Sequence, residues 1–312
     1  MYMPRLRARQ HEVFAVRNCA SSFAASSRVV PVLEPVAAPN DLFTRRLGAI
    51  ADEGGSCDLV LNPSVGDLRS KGSWRGLGDY YLENDLLKHH GLAVLSNADA
   101  DHAAMSRWIS EARGAGHEFT LDIVHELDLS VTLQGATYHG VRWNIAEDRT
   151  VPASYGLPLG GLPVVWANDP FPALPRNREY VGREEGIFST RVAGYKSAGY
   201  LGVSDFLTLG RGFQSGGGPA YAVVIHFTYE SGDVVRLKHF CSDSNETQDD
   251  PAGKFFEALE KLIDFVDERS LPTNLGIDGF RDLYQRQHFP GLGKVKELSI
   301  MNHMLVMQDA II

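Results

Sequence analysis

Six short apolar runs, each closing on a polar residue, constrain this chain more than any other feature. They are RVVPVLEPV (28–36), CDLVLNP (57–63), GLAVLSNAD (91–99), EFTLDIVHE (118–126), YHGVRWN (138–144) and LPVVWAND (162–169). Stretches of helical character lie between most of them, such as DLFTRRLGAIADEG and DADHAAMSRWISEARGAG. The second of these starts on aspartate capping candidates and stops at Gly114 to Gly116. Strands alternating with helices predict a parallel sheet with crossover helices. The runs end at Glu34, Asn62, Asn97 with Asp99, His125 with Glu126, Asn144, and Asn168 with Asp169. In a parallel barrel all strand C-termini open on one face, where the chemistry of such folds gathers. Ordinary strand exits are also polar, so this pattern alone does not decide between a site and a rim.

The rest of the chain departs from the rhythm. Residues 170–218 read as a long insertion with one short helix, a length that suits a lid or a binding loop. AYAVVIHFTYESGDVVRLKHFCSD (220–243) reads as a β-hairpin. Placing Ser231-Gly232 as its two-residue loop pairs Glu230 with Asp233 and sets His226 opposite Leu237. His226 and His239 then share a face as diagonal neighbours, about 7–8 Å apart between Cα atoms. DDPAGKFFEALEKLIDFVDERS is an amphipathic helix with Asp250 as N-cap and Pro251 in the first position. A last helix is expected over VKELSIMNHMLVMQD. The expectation is one irregular TIM-barrel-like α/β domain over 1–312, with an insertion, a β-hairpin and a C-terminal helical region.

Composition narrows the function. The 312 residues are 44% hydrophobic and 22% charged, which suits a soluble globular chain. No apolar run reaches the roughly 18 residues that span a bilayer, and MYMPRLRARQHEVF lacks the apolar core of a signal peptide. Cys19, Cys57 and Cys241 are an odd set without CxxC spacing, as expected in a reducing cytoplasm. A net charge of −9 disfavours bulk binding to nucleic acid. Arg5, Arg7, Arg9 and Arg17 cluster near the N-terminus, and Arg176, Arg178, Arg183 and Arg191 recur later, but acids interleave with both groups, as on a solvated face.

The candidate chemistry is spread over several residues. His226 and His239 suit proton transfer near neutral pH, or half-buried structural roles. With Cys241 they would bind zinc only if an acid joined them, so no metal site is assigned. Asp169 and Asp205 are candidate bases, with Arg176 to hold an anion and Asn177 beside it. Glu34 and Asn62 are candidate ligand contacts at strand ends. QSGGGP and PGLGK lack the GxxxxGK[ST] spacing of a phosphate loop, and GxSxG, HExxH and GxGxxG are absent. No cofactor is implied.

NDPFPALPRNREY, GYLGVSDFLTLG, GGGPAYAVVIHFTY, LKHFCSD, GKFFEALEKL and HFPGLGKVKELSIMNHM, with MYMPRLRARQHEVFAVR and RVVPVLEPV at the start, resemble a bacterial group related to the phage beta-protein family. That resemblance implies a TIM-barrel-like scaffold without a settled activity. It also implies a place in an anti-phage defence or toxin–antitoxin-like cassette. There the chain would bind a nuclease-like partner encoded by an adjacent gene, or a ligand at the barrel mouth. The alternative is a hydrolase of a phosphorylated or nucleotide-like ligand. The matching motifs contain Asp169, Arg176, Asn177, Tyr180, Asp205, His226, His239, Phe240, Ser242, Lys254, His288 and Lys296. Where the group carries an acidic pair this chain has Asn168-Asp169, which weakens a two-carboxylate metal reading.

Overall fold

A computed structural model describes residues 1–97, 99–126, 138–147, 163–216 and 221–311. Residues 217–219 of the QSGGGP stretch lie outside these. The chain forms two compact units, 1–168 with 194–205 and 169–193 with 206–312.

The first unit is the expected parallel barrel. Its strands are β1 (Arg5–Leu6), β2 (Val32–Leu33), β3 (Asp58–Val60), β4 (Gly91–Ser96), β5 (Leu121–His125), β6 (Val141–Glu147) and β7 (Val164–Ala167). They pair in chain order, all parallel. The second unit interrupts with β8 (Glu185–Ser189), and the barrel's eighth strand is β9 (Gly202–Ser204), beside β7. The circle nearly closes. A single bridge joins Tyr2 to Val203, with Met3 N–H donating to Val203 O at 3.0 Å.

Helices α1 (Gln10–Ser26), α2 (Asp41–Asp52), α3 (Ser73–Glu83) and α4 (His102–Gly114) follow the first four strands. Side-chain caps start two of them. Asn40 accepts from the N–H groups of Leu42 and Phe43, and Asp101 from that of Ala104.

One apolar layer fills the barrel: Met3, Val32, Val60, Ala93, Leu95, Val124, Ile145, Val165 and Ala167. Beneath it, at the strand N-termini, Arg142 joins two buried carboxylates. Its Nη2 lies 2.8 Å from Asp58 Oδ2 and 2.6 Å from Asp122 Oδ2, and its Nε donates to Asp122 Oδ1 at 3.1 Å. Burial, together with the neighbouring Asp122, pushes the Asp58 carboxyl well above its ordinary range.

The second unit holds a short helix, α5 (Arg191–Gly194), at its junction with the barrel segment, and a three-stranded antiparallel sheet. The sheet order is β10 (Val224–Ser231), β11 (Val234–Cys241), β8. Three helices follow: α6 (Pro251–Glu268), α7 (Leu275–Gln285) and α8 (Leu292–Ala310). Asp250 caps α6 through the Gly253 N–H at 2.8 Å, with Pro251 first, as expected. Phe265 of α6 packs against Tyr229 and Phe240 on one sheet face. On the other face His303 of α8 meets Phe188 and the Thr228 hydroxyl.

The hairpin register differs from the expectation. Ser231 pairs with Val234, so the loop is Gly232-Asp233, and Gly232 takes φ +59°. Glycine thus occupies the first central position, as a type II′ turn requires, rather than the second. The shift leaves each residue on its expected face but sets His226 directly opposite His239.

Helices α7 and α8 touch at Gly276. A Cβ there would stand 2.6 Å from Asn302 N and 2.7 Å from Asn302 Cβ. We expect Gly276→Ala to cost about 1–3 kcal/mol through overpacking, despite the better helix propensity of alanine. Urea denaturation measures this, and an unchanged midpoint would show that the contact has slack.

Candidate functional site

The polar strand ends meet at the C-terminal mouth of the barrel. Side chains alternate along a strand, so the residue two beyond a layer residue shares its face. From Met3, Val32, Val60, Leu95, Val124 and Ile145 this step leads to Arg5, Glu34, Asn62, Asn97, Glu126 and Glu147. One polar ring therefore lies above one apolar layer.

Within the ring, charges are paired. Arg5 Nη2 stands 3.4 Å from Glu126 Oε1. Arg7, two residues past Arg5, pairs with Glu34 through Nη1 and Oε2. Glu34 Oε1 accepts from Ser64 N at 2.7 Å and from Ser64 Oγ at 2.9 Å. The backbone N–H of Arg7 donates to Glu12 Oε2 at 2.6 Å. Arg5, Glu12 and Glu34 are buried. Asn62 has a different use. Its amide donates to Leu95 O and accepts from Leu95 N, both at 2.8 Å, which extends the β3–β4 ladder by one step.

The other candidates are dispersed. Asp205, buried after β9, accepts from Tyr2 O–H at 2.8 Å. That pairing and burial push the tyrosine hydroxyl well above its ordinary range, chiefly by desolvation. Asp205 belongs to the barrel unit, whereas Asp169, His226 and His239 belong to the other unit. Asp169 is exposed and receives the Arg211 N–H at 2.9 Å. Arg176 is exposed and precedes a short 3-10 turn, Asn177–Tyr180. Asn177 donates to Ala222 O at 3.0 Å. Lys254 is buried in α6 with its ammonium on Thr247 O.

His226 and His239 share a proton between their Nδ1 atoms, 2.8 Å apart. Phe171 and Tyr180 pack against them, with ring centroids 5.0 Å from His226 for Phe171 and 4.5 Å from His239 for Tyr180. Burial, then the neighbouring His239, lowers His226 to about 3, and burial lowers His239 to about 4. Both rings are therefore neutral at pH 7. A general acid or base works best with a pKa near the operating pH, so this box suits a structural role better than proton shuttling. Among the described residues no three His, Cys, Asp or Glu side chains converge as a metal-ligand set.

Sequence reasoning named Glu34, Asn62, Asn97 and Glu126 as strand ends but read Arg5 and Arg7 as part of a solvated face. The signal for them was available. Met3, Arg5 and Arg7 alternate with Pro4 and Leu6 directly before the first helix, the pattern of a strand entering a barrel.

No family model matches the chain, and no curated protein matches it. Among the described residues no helix is long and apolar enough to cross a membrane.

Proposed function

We propose that this chain is a ligand-binding barrel that recognises a phosphorylated or nucleotide-like compound at its C-terminal mouth. The observation that carries this reading is the Arg–Glu ring of Arg5 and Glu34, both buried, with the half-buried Arg7 and Glu126. Charges at such a position cost desolvation that an apolar ring would avoid, so stability alone gives no reason for them. The guanidiniums are held in place by carboxylates that a phosphate could replace, and Arg suits bidentate recognition of phosphate. The resemblance to the phage beta-protein group sets a context, an anti-phage defence or toxin–antitoxin-like cassette in which a bound ligand would govern a nuclease-like partner.

Hydrolysis is the second reading, because carboxylates and cations share the mouth. Binding is favoured over it by one feature. Both oxygens of Glu34 are already engaged, by Ser64 and by Arg7, so this carboxylate is not poised to take a proton.

The test is calorimetric titration with ATP, GTP, ribose 5-phosphate and pyrophosphate, with phosphate release followed in parallel. At least one compound is expected to bind, and Arg7→Ala to weaken it by roughly a hundredfold. Binding without release favours the sensor, and release that Glu126→Gln abolishes favours the hydrolase. If none of the four binds, or if Arg7→Ala leaves the affinity unchanged, the mouth is not the site.

A further inference from the structure

The sheet of the second unit has two edges that differ in kind. Strand β10 lies along α8, whose Asn302 donates to Thr228 O at 2.8 Å and so satisfies an outward carbonyl. Strand β8, at the other edge, has no such cover. Its first three residues, Glu185, Gly186 and Ile187, are all exposed, Ile187 to 59%.

The register identifies which backbone groups face outward. The His239 N–H donates to Glu184 O at 2.7 Å, so Glu184 and His239 form a hydrogen-bonded pair. Antiparallel pairs alternate. Gly186 with Leu237 is therefore the next hydrogen-bonded pair, and Glu185 with Lys238 and Ile187 with Arg236 are the intervening ones. The N–H and C=O groups of Glu185 and Ile187 then point away from β11, to the open side. No described residue pairs with them.

One side chain of the edge is anchored, and a groove lies beside it. The Glu185 carboxylate is fixed by Tyr229 O–H at 2.8 Å, Arg236 Nε at 2.7 Å and Lys238 Nζ at 3.4 Å. That carboxylate is thereby neutralised. A cleft of about 280 Å³ runs alongside, lined by Pro172, Leu174, Tyr180, Ile187 and Leu237, with Arg183 among its walls. The Arg183 guanidinium has no ion pair or hydrogen bond with a described residue. The cleft thus offers apolar contact and one uncompensated positive charge.

We propose that the open edge of β8 receives an extended, acidic segment of a partner protein by strand addition, its backbone pairing with Glu185 and Ile187 and a carboxylate meeting Arg183. Exposed strand edges are the template for this mode of recognition, in which backbone bonds give affinity and pockets for alternate side chains give specificity. A second copy of this chain fits less well. Antiparallel self-pairing centred on Glu185 opposes two carboxylates, and centring on Gly186 or Ile187 sets Arg183 against Ser189 or Arg191, neither of them an acid. This inference does not rest on the barrel mouth.

The experiment is selection of a random dodecapeptide display library on the full chain, followed by fluorescence anisotropy with the enriched peptides. These are expected to alternate apolar and polar residues and to carry Asp or Glu. Arg183→Glu should weaken them by about tenfold or more. Ile187→Pro should abolish binding, because it removes an outward N–H that the β11 ladder does not use. Far-UV circular dichroism checks that Ile187→Pro still folds, and the exposed Arg183 variant decides the matter if it does not. The proposal fails if no peptide is enriched, or if enriched peptides bind both folded variants as tightly as the parent. It fails equally if the chain is a dimer that Ile187→Pro dissociates, which would assign the edge to a second copy.

Discussion

Acidification from about pH 7 to about pH 4 is expected to unfold this chain, with buried histidines as the main cause. Burial lowers His90 to about 4 and His125 to about 4 in the barrel unit. In the second unit the lowered pair is His226, at about 3, and His239, at about 4. These imidazoles are neutral in the folded state, while in the unfolded chain they take up protons below about pH 6.5. The stability they support is fully present above that value and is lost as pH falls towards the folded values. Each pKa unit corresponds to about 1.4 kcal/mol, so two barrel histidines withdraw roughly 6 kcal/mol by pH 4. Whole domains commonly have only about 5–15 kcal/mol.

Asp58 works the other way. Its raised pKa makes the folded barrel less stable as pH rises above the ordinary carboxyl range, so acid relieves it. One carboxyl opposes two imidazoles in the same unit, and Asp58→Asn should steepen the acid loss. Urea denaturation at a series of pH values measures the slope, which should approach about three protons per unit near pH 5, from four imidazoles less one carboxyl. His239→Gln should remove about one of them. A free energy that stays level from pH 7 to pH 5 would show that these rings are not buried neutral.

The largest effect of a single substitution is expected at Arg142. This side chain bridges Asp58, 1% exposed, and Asp122, fully buried, at the strand N-termini. Removing it as Arg142→Leu leaves two buried carboxyl groups beneath the apolar layer without their cation. Breaking a buried ion pair from one side costs about 3–5 kcal/mol. The double variant Asp58→Asn with Arg142→Leu should recover part of the loss, because it deletes one of the stranded charges. Thermal denaturation of both variants checks this. If Arg142→Leu melts like the parent, the triad contributes nothing net. In a barrel of this kind the N-terminal end is where stability is concentrated, which separates this triad from the mouth in purpose as well as place.

How far these features could be read from the residues varies with their length. β4, β5 and β6 are five to seven residues long, and their apolar runs stand out. β1 and β2 have two residues each, and β9 has three, too few to display any period. Helix α7 carried a legible start in Asn274, which accepts from Gly276 N and Ile277 N, and an apolar face in Ile277, Phe280 and Leu283. Its two early glycines hid it, because Gly276 is present for close approach to α8 and not for flexibility.

The candidate site was half legible for a similar reason. Glu34 and Glu126 close apolar runs that stand out in the sequence, so their place at strand ends can be read from it. The pairing of Arg7 with Glu34 joins residues on either side of helix α1, and the parallel pairing of β1 with β2 brings them together. The histidines show a different limit, since the sequence left proton transfer and a structural role both open. Two rings on one face suggested proton traffic, but the same geometry, packed between Phe171 and Tyr180, leaves both neutral.

The order in which the chain visits its two units has a consequence for its biogenesis. It leaves the barrel after Asn168, re-enters at Gly194 to lay down β9, and departs again after Asp205. During synthesis the barrel must therefore wait, open at one side, while part of the other unit is already emerging. Residues 169–193 in turn have no sheet to join until β11 is made. No single cleavage releases either unit whole, and a fragment ending at 168 lacks the stave that completes the barrel.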